Sequence, residues 1–224
     1  MGLCRRTILM RYVTMLPDQT TPSEIIARIE LLNRELARFW KDAHGWAPIE
    51  AAGLLSKARL DWQVSLSSSL RNWLRDPPAA LSDGDLILAW TNLGALIEGT
   101  LKLFLSVYYN DFQADVENLK AAGAFDHKAQ ASKSPDGLTL EPLRKYVAAR
   151  DLIGATGDAL VKLVQERRNA IHAFRDRPIG DGVEFWGAVR SYLATVMKNG
   201  VNPLGALQRL MVADPWMPPI ADSG

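Results

Sequence analysis

Residues Leu86 to Tyr109 read LILAWTNLGALIEGTLKLFLSVYY. A run this long and this apolar is either a membrane span or the central helix of a bundle. Three residues decide between them: Asn92, Glu98 and Lys102 lie near its middle. A charge at the centre of a bilayer costs roughly 2.5–3.5 kcal/mol on insertion scales. In a soluble bundle the same two charges, spaced i, i+4 with the acid first, stabilise the helix. The run is therefore read as a buried central helix, capped by Ser82 and ending near Asp115. Glu98 and Lys102 serve there either as an internal ion pair or as supports for a site.

On the N-terminal side, Asp76-Pro77-Pro78 closes a helix predicted from about Pro48 to Leu74, with Leu55, Trp62, Leu66, Leu70 and Trp73 along it. Before it, Thr21-Pro22-Ser23-Glu24 is a capping box with proline at the first helical position. It opens a helix to about Asp42 that carries Ile25, Ile29, Leu32 and Leu36 at helical spacing. On the C-terminal side, residues 118–138 are polar, contain His127, and read as a surface loop. Helices follow from about Leu140 to Leu152, from a Thr156 cap to about Phe174, and from about Val183 to Lys198. A short helix after Pro203 is also expected.

These elements define an all-α protein, a single up-and-down helical bundle with about six main helices. Residues 1–20 read as an N-terminal arm, 21–212 as the bundle and 213–224 as an irregular tail. Met1 to Asp18 holds Arg5, Arg6 and Arg11 but no unbroken apolar core, so it does not read as a secretory leader. Lone Cys4 provides neither a disulfide nor a cysteine-based zinc site and suits a cytoplasmic location. The net charge of +1 gives no global pull toward nucleic acid or membrane. There is no P-loop and no dinucleotide glycine pattern, and His44, His127 and His172 are far apart, so no cofactor and no metal are expected. Ser67-Ser68-Ser69 lacks the glycine-flanked turn of a nucleophile.

Chemistry concentrates in Glu166-Arg167-Arg168-Asn169-Ala170-Ile171-His172-Ala173-Phe174. Arginine forks onto phosphate oxygens, and histidine moves protons near neutral pH. From Arg144 to Arg177 eight cations face four acids, a local excess of +4 that attracts a polyanion or forms a solvated face. At about 100° per residue, Leu160, Leu163, Val164, Ile171 and Phe174 make one stripe, with Arg167 near its centre. Arg167 then pairs with a buried acid, Glu98 being the obvious candidate, or lines a groove between two surfaces. The purely structural reading joins an internal Arg167 ion pair with a snorkelling Arg168 and with His172 capping the helix end.

An all-α bundle ending in Arg, four residues, His resembles the HEPN superfamily of higher eukaryote and prokaryote nucleotide-binding domains. Arg167 and His172 meet that spacing. Arg168 stands where Asn, Asp or His is commoner, and Phe174 where toxin members often have Tyr. Arg168-Asn169 matches the family's Arg-Asn pair, with three residues then left before His172. The resemblance implies a metal-independent endoribonuclease of a defence or toxin–antitoxin system, working as a homodimer on RNA. Arg167 and His172 would be catalytic: His172 moves the 2′-hydroxyl or leaving-group proton, and Arg167 steadies the phosphate. Arg168 and Asn169 would bind substrate, with Glu98 and Lys102 supporting. A cognate antitoxin or other protein is a further expected partner. The alternative is a non-catalytic HEPN-like dimeric binding or scaffold protein. On an ideal helix Arg167 and His172 are about 140° apart. One intact site therefore requires the helix to fray near His172, or the pair to work across a dimer.

Overall fold

The computed structural model describes residues 19–42, 49–172 and 176–198. The expected arm, the helix after Pro203 and the tail lie outside the described residues, apart from Gln19 and Thr20. The protein is all-α. Among the described residues no helix is long and apolar enough to cross a membrane.

α1 (Pro22–Asp42) begins at its capping box: Glu24 N–H donates to Thr21 Oγ1 (3.3 Å) and Thr21 N–H donates to Glu24 Oε2 (2.8 Å). The helix expected over 48–74 is cut into α2 (Ile49–Lys57), α3 (Leu60–Ser69) and a 3₁₀ turn at Leu70–Trp73. Arg59 stands at the cut with ψ 68°. Its fork lies on Asp61 (2.6 and 2.8 Å), and its Cζ sits 4.2 Å from the centre of the Trp62 ring. Apolar periodicity carries no trace of such a local clamp.

α4 (Asp83–Val107) is the central helix. Ser82 and Asp85 form its capping box. It packs on α2, α3, α7, α8 and α9, and is buried nearly all round. One stripe stays open, through Leu88, Thr91, Ala95, Glu98, Gly99 and Lys102. The helix stops at Tyr108 rather than Asp115, and α5 (Tyr109–Ala114) turns away. That turn seats Phe112, 1% exposed, against Tyr146 with ring centres 5.0 Å apart. Burial of one aromatic ring outweighs the few helical bonds lost.

The expected polar loop at 118–138 is largely ordered structure. α6 (Val116–Ala122) closes at Gly123, whose φ of 75° favours glycine, and Ala124 N–H donates to the Leu119 carbonyl (2.8 Å). A two-residue antiparallel pair follows, Phe125–Asp126 against Ala131–Ser132. Leu119, Ala124, Phe125 and Leu138 enter the core from this stretch. α7 (Leu140–Ala149), α8 (Gly154–Arg168) and α9 (Gly182–Lys198) complete the nine α-helices of the described residues. Thr156 is not a cap: α8 starts two residues earlier, from Ile153.

One apolar cluster joins all the layers, with Trp90 and Phe185 fully buried and packed edge to face at 5.2 Å. Buried and half-buried polar rungs cross it. Asn33 donates to Ser67 Oγ (2.6 Å), Gln63 to the Leu96 carbonyl (2.7 Å), and Thr100 shares a 2.8 Å bond with the Tyr192 hydroxyl. Unpaired polar atoms at this depth are costly, so the rungs fix the register of α1, α3, α4 and α9.

Candidate functional site

α8 presents its motif at its C-terminal end, held down by Leu160, Val161 and Val164. Regular α-helix stops at Arg168. Asn169–Ile171 tightens into a 3₁₀ turn, and His172 leaves it with φ −85° and ψ 87°. The last N–H of that turn runs from His172 to the Asn169 carbonyl (3.3 Å). Asn169 thus contributes its backbone here, and His172 is exposed.

The two arginines diverge. Arg167 points to α9: Nε donates to Glu184 Oε2 and Nη2 to Glu184 Oε1, both at 2.9 Å, and Nη1 donates to the Pro178 carbonyl (3.0 Å). The bonds to Glu184 raise the Arg167 pKa above its ordinary value, against the opposing effect of burial. Gly180, at φ +68°, lies under this pair, where a Cβ would strike the Glu184 carboxylate. Glu184 is aimed by the start of α9, where its N–H donates to Asp181 Oδ1 (2.8 Å). Trp90 Nε1 holds the neighbouring Ile179 carbonyl (2.7 Å).

Arg168 points instead to α4. Its Nη1 donates to Glu98 Oε2 (2.9 Å), while Lys102 Nζ lies 2.9 Å from Glu98 Oε1. Gly94 makes room, since a Cβ there would sit 2.7 Å from Arg168 Cδ. Burial pushes the Glu98 carboxyl up, but the hydrogen bonds from Arg168 and Lys102 outweigh it and hold its pKa below the usual value. The acid expected to partner Arg167 therefore partners Arg168. The two neighbours lie about 100° apart on α8, and here that offset turns one toward α9 and the other toward α4. The triad borders an open depression of about 310 Å³, lined by Thr91, Ala95, Glu98, Gly99, Lys102 and Arg168.

The structure thus brings Arg168, Glu98 and Lys102 together, sends Arg167 elsewhere, and leaves His172 past the helix end. Sequence reasoning missed Glu184, Gly180 and Gly94. Asp181-Gly182-Val183-Glu184 carried a readable helix-start pattern, but nothing in it named Arg167 as the partner. Comparison with protein-family models, with curated proteins and with solved structures gave no match for this chain. The fold and cluster define an all-α protein with a divided basic motif at the end of one core-facing helix.

Proposed function

We propose that the chain is a HEPN-like helical protein acting as a homodimeric binding or scaffold module rather than a nuclease. One observation carries this choice: the Arg167 fork is taken up by Glu184 and the Pro178 carbonyl. A phosphate-steadying arginine must offer spare N–H groups beside the proton-moving group. Arg167 offers its fork to its own chain.

A second reading, a metal-independent endoribonuclease, draws on a different observation. α8 gives way to a 3₁₀ turn, and His172 leaves it at ψ 87°, so the ideal-helix angle of about 140° no longer governs where His172 lies. Arg168, with 29% of its side chain exposed, would then hold the phosphate.

Incubation with single-stranded RNA in the presence of a chelator separates the two. The binding-module reading expects intact RNA. Cutting by the wild type that disappears in His172→Ala, with helix content unchanged, would put the nuclease in front.

A further inference from the structure

We infer that the open stripe of α4 is a binding site for a small phosphate ester with an apolar body, its phosphate held between Lys102 and Arg168. Nothing in this site involves His172 or a second copy of the chain.

Three observations meet there. First, two cations share one carboxylate, leaving the triad of Arg168, Glu98 and Lys102 with one surplus positive charge. Arg168 gives Glu98 one N–H and Lys102 gives it one contact, so other donors of both groups remain for a second anion. Second, the triad is not sealed between helices. The side chains of Arg168, Lys102 and Glu98 are 29%, 28% and 21% exposed and border the 310 Å³ depression. Third, a second hollow of about 230 Å³ adjoins the first, and the two share Gly99 and Lys102. Leu54, Leu60 and Leu103 give it apolar walls, and Ser106 and Asp136 lie among its polar ones.

Gly99 is the saddle between the hollows. Gln63 lies flat against it, its Nε2 donating to the Leu96 carbonyl (2.7 Å), and a side chain at 99 would strike the Gln63 amide. The charged half selects a phosphate, and the leucine-walled half selects an apolar body attached to it. Lys57 and Arg59 also border the second hollow, but Arg59 is committed to Asp61. Lys57 lines only the second hollow, whereas Lys102 lines both and is the cation that serves both halves. Glu98 competes with the incoming phosphate for the same two cations.

Calorimetric titration of the full chain with phenyl phosphate, inorganic phosphate and phenol tests the site. Phenyl phosphate is expected to bind, inorganic phosphate to bind more weakly, and phenol not to bind measurably. Lys102→Gln should weaken phenyl phosphate by about tenfold, the loss of one charge-assisted hydrogen bond. Glu98→Gln should tighten it, because the competing carboxylate is gone. A purely structural ion triad predicts no such gain. Should Glu98→Gln fail to fold, Lys102→Gln decides, with circular dichroism confirming its helix content. No binding at millimolar phenyl phosphate, equal binding by Lys102→Gln, or phenol binding as well as its phosphate would each overturn the site.

Discussion

Arg167 and Glu184 meet through two parallel N–H···O bonds of 2.9 Å, closing the connection between α8 and α9 like a clasp. The same guanidinium holds the Pro178 carbonyl, and Gly180 leaves the space the carboxylate occupies. The pair is only partly open to water, with side chains 15% and 33% exposed. It is therefore worth more than a surface ion pair, and breaking it strands a half-buried charge.

Arg167→Ala is expected to lower unfolding free energy by about 1–3 kcal/mol, since a charge-assisted pair and a carbonyl contact go together. Arg167→Lys should recover little, because an ammonium cannot reproduce the fork. Urea denaturation of the three proteins measures this. A midpoint unchanged in Arg167→Ala would remove the clasp from the account of stability and free Arg167 for other work.

Two glycines, Gly180 in the connection and Gly182 at the start of α9, make a sharper test. Gly180→Ala places a Cβ at positive φ and against Glu184, and should cost about 1–3 kcal/mol. Gly182→Ala drives a Cβ into the backbone carbonyl of Pro78, a neighbour that cannot swing aside, and should cost at least as much. Gly187→Ala meets nothing nearby and serves as the control. Equal midpoints for all three would mean that the connection has no such close packing.

The helical class and the central place of Leu86–Val107 were legible because burial on nearly every face leaves a plain apolar signature. The cut at Arg59, the turn at Tyr108 and α6 were not, because each is set by a contact that apolar periodicity does not carry: the local clamp of Arg59 on Asp61, Phe112 on Tyr146, and Leu119 in the core. At the motif, the residue types were visible and their directions were not. A helical wheel puts Arg167 on the apolar stripe, but only the fold shows that α9 supplies Glu184 and α4 supplies Glu98. The Glu98–Lys102 pair was readable because it is local, four residues apart.

Tyr192 predicts an alkaline limit to stability. Burial pushes its pKa up to about 12, against the opposing hydrogen bonds to Thr100 and Asn33. The folded state thus keeps the proton longer than the unfolded chain, whose tyrosines titrate near 10. Stability from this group is complete below about pH 10 and is lost as pH rises to about 12, on the order of 3 kcal/mol in all. Tyr146, raised to about 12 by burial and then by the charge of Asp115, works in the same direction. Urea midpoints between pH 9 and pH 12 should fall for the wild type and fall less for Tyr192→Phe. The same slope in both would show that Tyr192 ionises as freely folded as unfolded.

The proposed homodimer makes the last prediction. Ile171 ends the 3₁₀ turn with 48% of its surface exposed, beside exposed His172 and one turn beyond the Arg167 clasp. If this end of α8 meets its counterpart, the isoleucine is an exposed apolar anchor among the described residues there, and a carboxylate in its place would face its own copy across the axis. Ile171→Glu should then shift the dimer strongly toward monomer, by about tenfold or more in dissociation constant, from lost apolar burial and like-charge repulsion. Thermal unfolding of the monomer should change little, because half of the side chain is already in water. Sedimentation at tens of micromolar should show a wild-type mass near twice 24.8 kDa, and a lower weight-average mass for Ile171→Glu. A wild type that sediments as one chain under these conditions would end the dimer reading. A dimer that Ile171→Glu leaves untouched would move the interface away from the motif, and with it the reason to expect His172 at a shared surface.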